Sequence, residues 1–272
     1  MAQTHEFSYS LFNSPGEDSI WRKDIAPHLT GIPENVLRVC QYGFSEMMNN
    51  VIDHSGSEKF QVVITAGDKA IQFKIIDQGV GIFNKIKSDL QLDDPRHAIL
   101  ELAKGKYTSD PQNHSREGIF FTSRVFDYFA IFSDNLAFLG NNNYDRPAAH
   151  DTVTGTVILM EIRTDSPVSL SAIFNEYADP DKQPGFYKTV IPVRLLKYDG
   201  EDLMSRSQAK RLITRFDRFI EVVLDFSDVP FIGQGFADEV FRVFANAHPT
   251  VRLAPVNCAE DVRRMIAHVA RH

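Results

Sequence analysis

The sequence is poor in cysteine and in long apolar runs. Only two of its 272 residues are cysteines, Cys40 and Cys258, and no C-x-x-C pair or disulfide framework results, so we expect a reducing compartment. No run approaches the roughly eighteen apolar residues of a membrane-spanning helix. The start, MAQTHEFSYS, has no basic stretch followed by an apolar block. These absences predict a cytoplasmic protein with no membrane partner.

Positive charge and the common catalytic motifs are also scarce. The formal net charge is −7, and the longest basic stretch, AKRLITRFDR, alternates along a predicted helix. Since nucleic-acid surfaces need a local excess of Lys and Arg, we expect no direct nucleic-acid partner. The stretch KGKYTS lacks the preceding glycine of a Walker A loop, and neither H-E-x-x-H nor a Cys/His ligand pattern occurs.

The order of predicted elements indicates an α+β protein with two domains. The runs KFQVVITAG and AIQFKIID predict a hairpin after a long helix at about residues 33 to 54. From residue 188 onward, strands and helices alternate, which predicts a small α/β layer. We therefore expect an N-terminal domain at 1–163, a linker at 164–187 and a C-terminal domain at 188–272.

The long predicted helix carries a polar stripe within FSEMMNNVIDHS. Glu46, Asn50 and Asp53 follow one another at spacings of four and three, so they fall on a single face of an otherwise apolar helix. Taken alone, such a stripe is most often a solvated surface. The alternative is the wall of a binding site.

A second signal is IIDQGVGIF, where Asp77, Gly79 and Gly81 follow a strand. Glycines two residues apart let the backbone turn sharply and approach a ligand, and a carboxylate can accept hydrogen bonds from an exocyclic amine. An ordinary surface turn uses the same residue types. The order of the segments, from the polar helix to a strand that begins with Gly155 and Thr156, favours a nucleotide site.

In that order, residues 30 to 163 resemble the GHKL ATPases of gyrase, heat-shock chaperone, histidine kinase and MutL type. The resemblance implies the Bergerat fold, an α/β sandwich with a mixed, mainly antiparallel sheet, and the cofactors ATP and Mg²⁺. EMMNNVIDH is similar to the N-box of that superfamily, which would make Asn50 the Mg²⁺ ligand and Glu46 the catalytic base. A single amide oxygen is chemically sufficient, because Mg²⁺ keeps several waters and also binds phosphate oxygens.

The remaining ATP-binding residues follow from the same resemblance. DQGVGI is similar to the G1 box, so Asp77 would bind the adenine amine, supported by Thr156, in a pocket shaped by Gly79 and Gly81. GKYTSDPQNHSREGIFF is similar to the ATP lid and the G2 box, in which backbone amides at a helix start suit phosphate. The lid residues assigned to the cofactor site are Lys106, Thr108, Arg116 and Gly118.

One departure from the family pattern concerns the G2 box. Arg116 stands where the family usually has a glycine, two residues before Gly118. The side chain either obstructs the phosphates or reaches them as a charged clamp. Lys104 and Lys106, on either side of Gly105, meet either phosphate or solvent.

Residues 188–272 resemble a STAS-like domain, the fold of anti-anti-sigma factors. In that family, a serine or threonine near a helix start is phosphorylated by a kinase partner, but here the corresponding stretch, FIGQGFAD, has no hydroxyl. Ser205, another hydroxyl, is predicted to form a capping box with Gln208.

Three functions fit this sequence. The first is an ATP- and Mg²⁺-binding regulator that resembles anti-sigma-factor serine/threonine kinases. The second is an ATP-hydrolysing conformational switch, and the third is a nucleotide-sensing interaction module without catalysis. The expected partner is a regulatory protein, of sigma-factor-like or STAS type, and a homodimer is left open.

Overall fold

The computed structural model describes residues 2–105, 117–140, 152–178, 187–197 and 201–270. The chain divides into two compact units, with residues 1–99 and 107–174 in the N-terminal unit and residues 100–106 and 175–272 in the C-terminal unit. The predicted linker at 164–187 contains the second point at which the chain passes from the N-terminal to the C-terminal unit. The sequence-based domain limits do not include the short segment 100–106, which packs with the C-terminal unit although it lies within the predicted ATP-binding domain.

The N-terminal unit is built on a six-stranded sheet with the order β1-β2-β3-β6-β4-β5. Its strands are β1 (Gln3–Ser10), β2 (Lys59–Ala66), β3 (Ala70–Asp77), β4 (Tyr128–Asp134), β5 (Leu136–Leu139) and β6 (Val153–Arg163). The predicted hairpin is confirmed as β2 and β3. All of the pairings described in this sheet are antiparallel, which corrects the expectation of a mixed sheet in this domain. The edge strand β1 was not predicted.

Helices of the N-terminal region cover the sheet and connect its strands. They are α1 (Glu17–Ile20), α2 (Glu34–His54), α3 (Ile82–Leu90), α4 (His97–Lys104), α5 (Gly118–Val125) and α6 (Leu170–Tyr177). The predicted long helix is confirmed as α2, and α3 was not predicted. Helix α2 packs against α5 and against β3 and β6. Its apolar face is buried, whereas Glu46 and Asn50 are half-buried and Asp53 is exposed.

The C-terminal unit has a parallel three-stranded sheet, which confirms the predicted alternation of strands and helices. Its strands are β7 (Lys188–Pro192), β8 (Glu221–Asp225) and β9 (Arg252–Val256). Its helices are α7 (Arg206–Ile213), α8 (Gln234–Asp238), a π-helical stretch (Glu239–Phe244), α9 (Ala245–Ala247) and α10 (Glu260–Val269). The predicted capping box of Ser205 and Gln208 begins α7. Helix α7 ends at Ile213, before the end of the stretch AKRLITRFDR that was predicted to be helical, because the backbone leaves the helical region at Thr214, with ψ of 125°.

The close packing of α2 against α5 depends on Gly43. A β-carbon at this position would lie 2.2 Å from Cε2 of Phe126 and 3.1 Å from Cγ2 of Thr122. Both neighbours are fully buried and have little room to move. The absence of a side chain at Gly43 therefore sets the distance between these two helices.

We predict that Gly43→Ala destabilises the protein by about 1–3 kcal/mol, because the added methyl group overpacks this contact. The free energy of unfolding in urea measures the effect. Gly16→Ala is the matched control, because a β-carbon at Gly16 would meet open space and the φ of −57° at this position suits alanine. Equal effects of the two substitutions would contradict the packing argument.

Candidate functional site

The Asp77 carboxylate is the centre of a buried hydrogen-bonded group at the end of β3. Its Oδ1 accepts a hydrogen bond of 2.8 Å from the amide of Gly79. Asp77 faces Thr156 across the β3–β6 pair and also forms a side-chain hydrogen bond with it. The Thr156 hydroxyl accepts a further hydrogen bond of 3.2 Å from the amide of Ile82, at the start of α3. The end of β3, the start of α3 and the start of β6 are thereby joined through one carboxylate and one hydroxyl.

The backbone around Asp77 has no space for side chains. A β-carbon at Gly79 would lie 1.9 Å from the carbonyl oxygen of Ser55, which ends α2 and accepts a 2.9 Å hydrogen bond from Val80. A β-carbon at Gly155 would lie 2.2 Å from the carbonyl oxygen of Asp77, and Gly155 has a φ of 79°. Gly81 also has a positive φ. The glycine bend is therefore held between the end of α2 and the start of β6.

Burial dominates the electrostatics of Asp77. Only 2% of the residue is exposed. Burial raises the pKa of its carboxyl, and the hydrogen bonds from Gly79 and Thr156 oppose that rise without cancelling it. A buried carboxylate that retains lone pairs is a strong acceptor for a ligand N–H group, because solvent does not compete for it.

Glu46 and Gly118 meet where α2 packs against α5. A β-carbon at Gly118 would lie 2.2 Å from Oε2 of Glu46, so the carboxylate lies directly against the first residue of α5. Tyr42 lies one turn before Glu46, and burial, with the nearby carboxylates of Glu46 and Glu117, raises the pKa of its phenol. Two carboxylates and a phenol therefore share this part of the N-terminal unit.

Helix α2 connects the two groups of residues. Ser55, at its end, contacts the glycine bend, and Glu46, nine residues earlier, contacts α5. At 1.5 Å per residue, these two points are about 13.5 Å apart along the helix axis. Asn50 lies between them on the same helix.

The structure brings together most of the predicted site residues that it describes. Gly79 and Thr156 both contact Asp77, and Gly81 lies nearby, since a β-carbon at Gly81 would lie 3.4 Å from the carbonyl oxygen of Gly155. Glu46 and Gly118 form a second contact. The predictions for Lys106, Thr108 and Arg116 lie outside the described residues.

Lys104 is the lysine whose environment differs from both sequence-based expectations. It is 1% exposed and pairs with Glu101 in the C-terminal unit, so its ammonium group is buried and paired within the protein.

Sequence reasoning missed three residues around the site. Ser55 contributes a carbonyl to the glycine bend, and the Ser133 hydroxyl donates a 2.7 Å hydrogen bond to the carbonyl of Gly155. Neither has a sequence signal, because both contacts depend on the fold. Tyr42 had a sequence signal, since it stands four residues before Glu46 on the same helical face.

A separate cleft of about 310 Å³ lies elsewhere in the N-terminal unit. It shares no residue with the predicted site, and it is lined by Asp93, Asp94, Pro95, Arg96, Asn135 and Leu136. Within the described ranges, no three His, Cys, Asp or Glu residues are grouped as metal ligands.

In the C-terminal unit, the stretch FIGQGFAD, in which the resemblance placed the phospho-acceptor position, is closely packed at Gly233. Gly233 caps α8, and its amide donates a 2.8 Å hydrogen bond to the carbonyl of Leu203. A β-carbon there would lie 2.8 Å from Cα of Met204. The backbone contact accounts for glycine at this position, where a hydroxyl side chain would need the neighbouring segment to move.

Comparison with known proteins identifies one part of the chain. A family model described as a STAS-like domain of unknown function (DUF4325) matches residues 208–263. This stretch includes β8 and β9 and covers about a fifth of the chain. No curated protein shows significant similarity to the sequence. None of the helices in the described ranges is long and apolar enough to cross a membrane.

We predict that Asp77→Asn gives the protein a higher melting temperature than wild type when both are measured above neutral pH. The folded state raises the pKa of Asp77, so the cost of burying its charge is fully present above that pKa and vanishes below the ordinary value of 3.8. Asparagine removes this cost and retains an acceptor for the Gly79 amide. The gain over wild type should therefore shrink as the pH falls.

Thermal unfolding at a series of pH values tests this prediction. Asp217→Asn, at an exposed position in the C-terminal unit, is the control and should show no such trend. A gain for Asp77→Asn that increases toward acid pH would contradict the assignment.

Proposed function

We propose that the N-terminal unit binds ATP with Mg²⁺ in a site of GHKL type, and that the protein is a regulator resembling anti-sigma-factor serine/threonine kinases. The observation that carries the proposal is the buried group of Asp77, Gly79 and Thr156, joined to the end of α2 through Ser55. A surface turn does not require such burial of a carboxylate. A buried carboxylate with a raised pKa is a candidate for a binding site.

The adenine end follows from the acceptor chemistry of Asp77. Its carboxylate already accepts from Gly79 and Thr156, and two oxygens provide further lone pairs for an exocyclic amine. The nearby glycines, packed against Ser55 and Ser133, hold the backbone in place beside the carboxylate. Thr156 fixes the orientation of the carboxylate, because its own hydroxyl is held by the amide of Ile82.

The phosphate end is proposed to lie along α2 toward α5. Asn50 would give its amide oxygen to Mg²⁺, with phosphate and water oxygens completing the coordination. The amides at the start of α5, from Gly118, suit a phosphate group, because helix N-termini attract anions. Bound Mg²⁺ would neutralise phosphate charge, while Glu46 would act as the base that orients a hydroxyl or a water.

One observation favours a nucleotide-sensing module without catalysis as the second candidate. The Glu46 carboxylate lies against Gly118 at the N-terminus of α5, where a negative charge is stabilised by the helix dipole. This contact is a sufficient structural reason for an acid at position 46. The two candidates differ in whether ATP is turned over.

The STAS-like unit is the proposed interaction domain. The STAS-like unit is covalently linked to the ATP-binding unit. If both units bind the same regulatory partner, binding by one unit raises the effective concentration of the partner at the other, so even a weak second contact would be well occupied. A sigma-factor-like or STAS-type protein remains the proposed partner. Homodimerisation is compatible with this arrangement.

We predict that Asp77→Asn and Glu46→Ala separate binding from turnover. Asp77→Asn should weaken ATP binding by roughly 10- to 100-fold, because it removes a hydrogen bond to a charged acceptor. Glu46→Ala should retain binding and lower turnover by about 10²- to 10⁴-fold, because it removes a general base. ATP affinity and phosphate release measure the two effects. If both variants change both quantities equally, the assigned roles are wrong.

ATP labelled at the γ-phosphate distinguishes the remaining functions. Incubation of the full chain with labelled ATP and cell extract should transfer label to a protein if the kinase proposal is right. Label found only as free phosphate would indicate the hydrolysing switch. Binding without any turnover, with Glu46→Ala indistinguishable from wild type, would favour the sensing module.

A further inference from the structure

The C-terminal unit contains a short segment from the middle of the N-terminal sequence. Residues 100–105 pack with it, although residues 2–99 and the described residues between 117 and 174 belong to the N-terminal unit. Domain boundaries usually fall in exposed linkers. Here the segment includes the end of α4, and its side chains Leu100, Leu102 and Ala103 are at most 3% exposed. The matched STAS-like stretch, 208–263, does not include it.

A buried ionic network holds this segment. Lys104 Nζ donates a 2.6 Å hydrogen bond to Oε1 of Glu101, and Arg215 Nη1 donates one of 2.8 Å to Oε2 of the same carboxylate. The side chains of Lys104 and Glu101 are 1% and 5% exposed. One carboxylate therefore bridges two cations, one from α4 and the other from the turn after α7.

The excess positive charge of this network is offset by the end of α7. Lys104 Nζ also donates to the backbone carbonyls of Arg211 and Thr214, at 3.0 and 3.1 Å. Carbonyls at a helix C-terminus have no partner within the helix and carry the negative end of its dipole, so an ammonium group is stabilised there. Lys104 thus caps α7, although Lys104 itself lies outside the stretch that matches the STAS-like family model.

The backbone of Lys104 is held as well as its side chain. The hydroxyl of Thr189, which is fully buried in β7, donates a 2.8 Å hydrogen bond to the carbonyl of Lys104. Burial lowers the pKa of Lys104, and the nearby Arg215 adds to that effect, whereas Glu101 opposes it. The ammonium therefore depends on its three acceptors, and removing any of them leaves a buried charge less well paired.

We propose that residues 100–105 are an integral part of the STAS-like unit, and that the Glu101–Lys104–Arg215 network is an intramolecular clamp that fixes β7 and the end of α7. The surface formed by Thr189, Arg211 and Thr214 is occupied by this segment and is closed to other partners. The STAS-like unit is then incomplete without residues 100–105, which lie within the sequence of the ATP-binding unit. This inference does not depend on whether ATP binds.

Amide hydrogen exchange of the full chain tests the clamp with Lys104→Met. The substitution leaves the carbonyls of Arg211 and Thr214 without their donor, so exchange should accelerate at least about tenfold in 188–192 and 206–216, as well as in 97–105. The sheet of the N-terminal unit should exchange as in wild type. Lys210→Met, at an exposed position on α7, is the matched control and should change none of these segments.

Acceleration confined to residues 97–105 would overturn the proposal, because the segment would then be attached to the unit without supporting it. If Lys104→Met does not fold, Thr189→Val decides the question by the same measurement. This milder change removes only the hydrogen bond to the Lys104 carbonyl. It should accelerate exchange in the same segments to a smaller extent, and unchanged exchange in all of them would refute the clamp.

Discussion

The burial of the Asp77 carboxylate is the constraint on which the architecture of the N-terminal unit depends. A buried carboxylate needs hydrogen-bond donors, and here they come from Gly79 and Thr156. Satisfying it brings the end of β3 against β6 and requires glycine where the backbone segments approach closely, at Gly79 and Gly155. The same contacts tie the bend to the end of α2 through Ser55. Fold and candidate site are therefore consequences of the same interaction.

The two units stabilise their buried charged side chains in different ways. In the N-terminal unit, Asp77 has neutral donors and a raised pKa, which is typical of a group kept at some cost to stability for binding. In the C-terminal unit, Glu101 is paired with two cations, and one of them, Lys104, also donates to helix-end carbonyls. That arrangement is self-contained, which is why we propose a ligand for the first group and a structural role for the second.

Local patterns in the sequence predicted the elements with strong periodicity, such as α2, the β2–β3 hairpin and the alternation after residue 188. They did not predict β1, whose residues, QTHEFSYS, carry few apolar side chains because it is an edge strand that buries little. The contacts of Asp77 with Thr156 were anticipated only through family resemblance. The position of Lys104 was not anticipated, because its two carbonyl acceptors, in Arg211 and Thr214, lie more than a hundred residues away and no local signal marks them.

The most direct test of the account is calorimetric titration of the full chain with ATP and with GTP, each with and without Mg²⁺. Guanine presents a carbonyl oxygen where adenine presents an amine, so it would face the Asp77 carboxylate with an acceptor instead of a donor. The account predicts saturable binding of ATP that Mg²⁺ strengthens, and GTP affinity weaker by at least about tenfold. Equal affinities for the two nucleotides, or no binding of either, would contradict it.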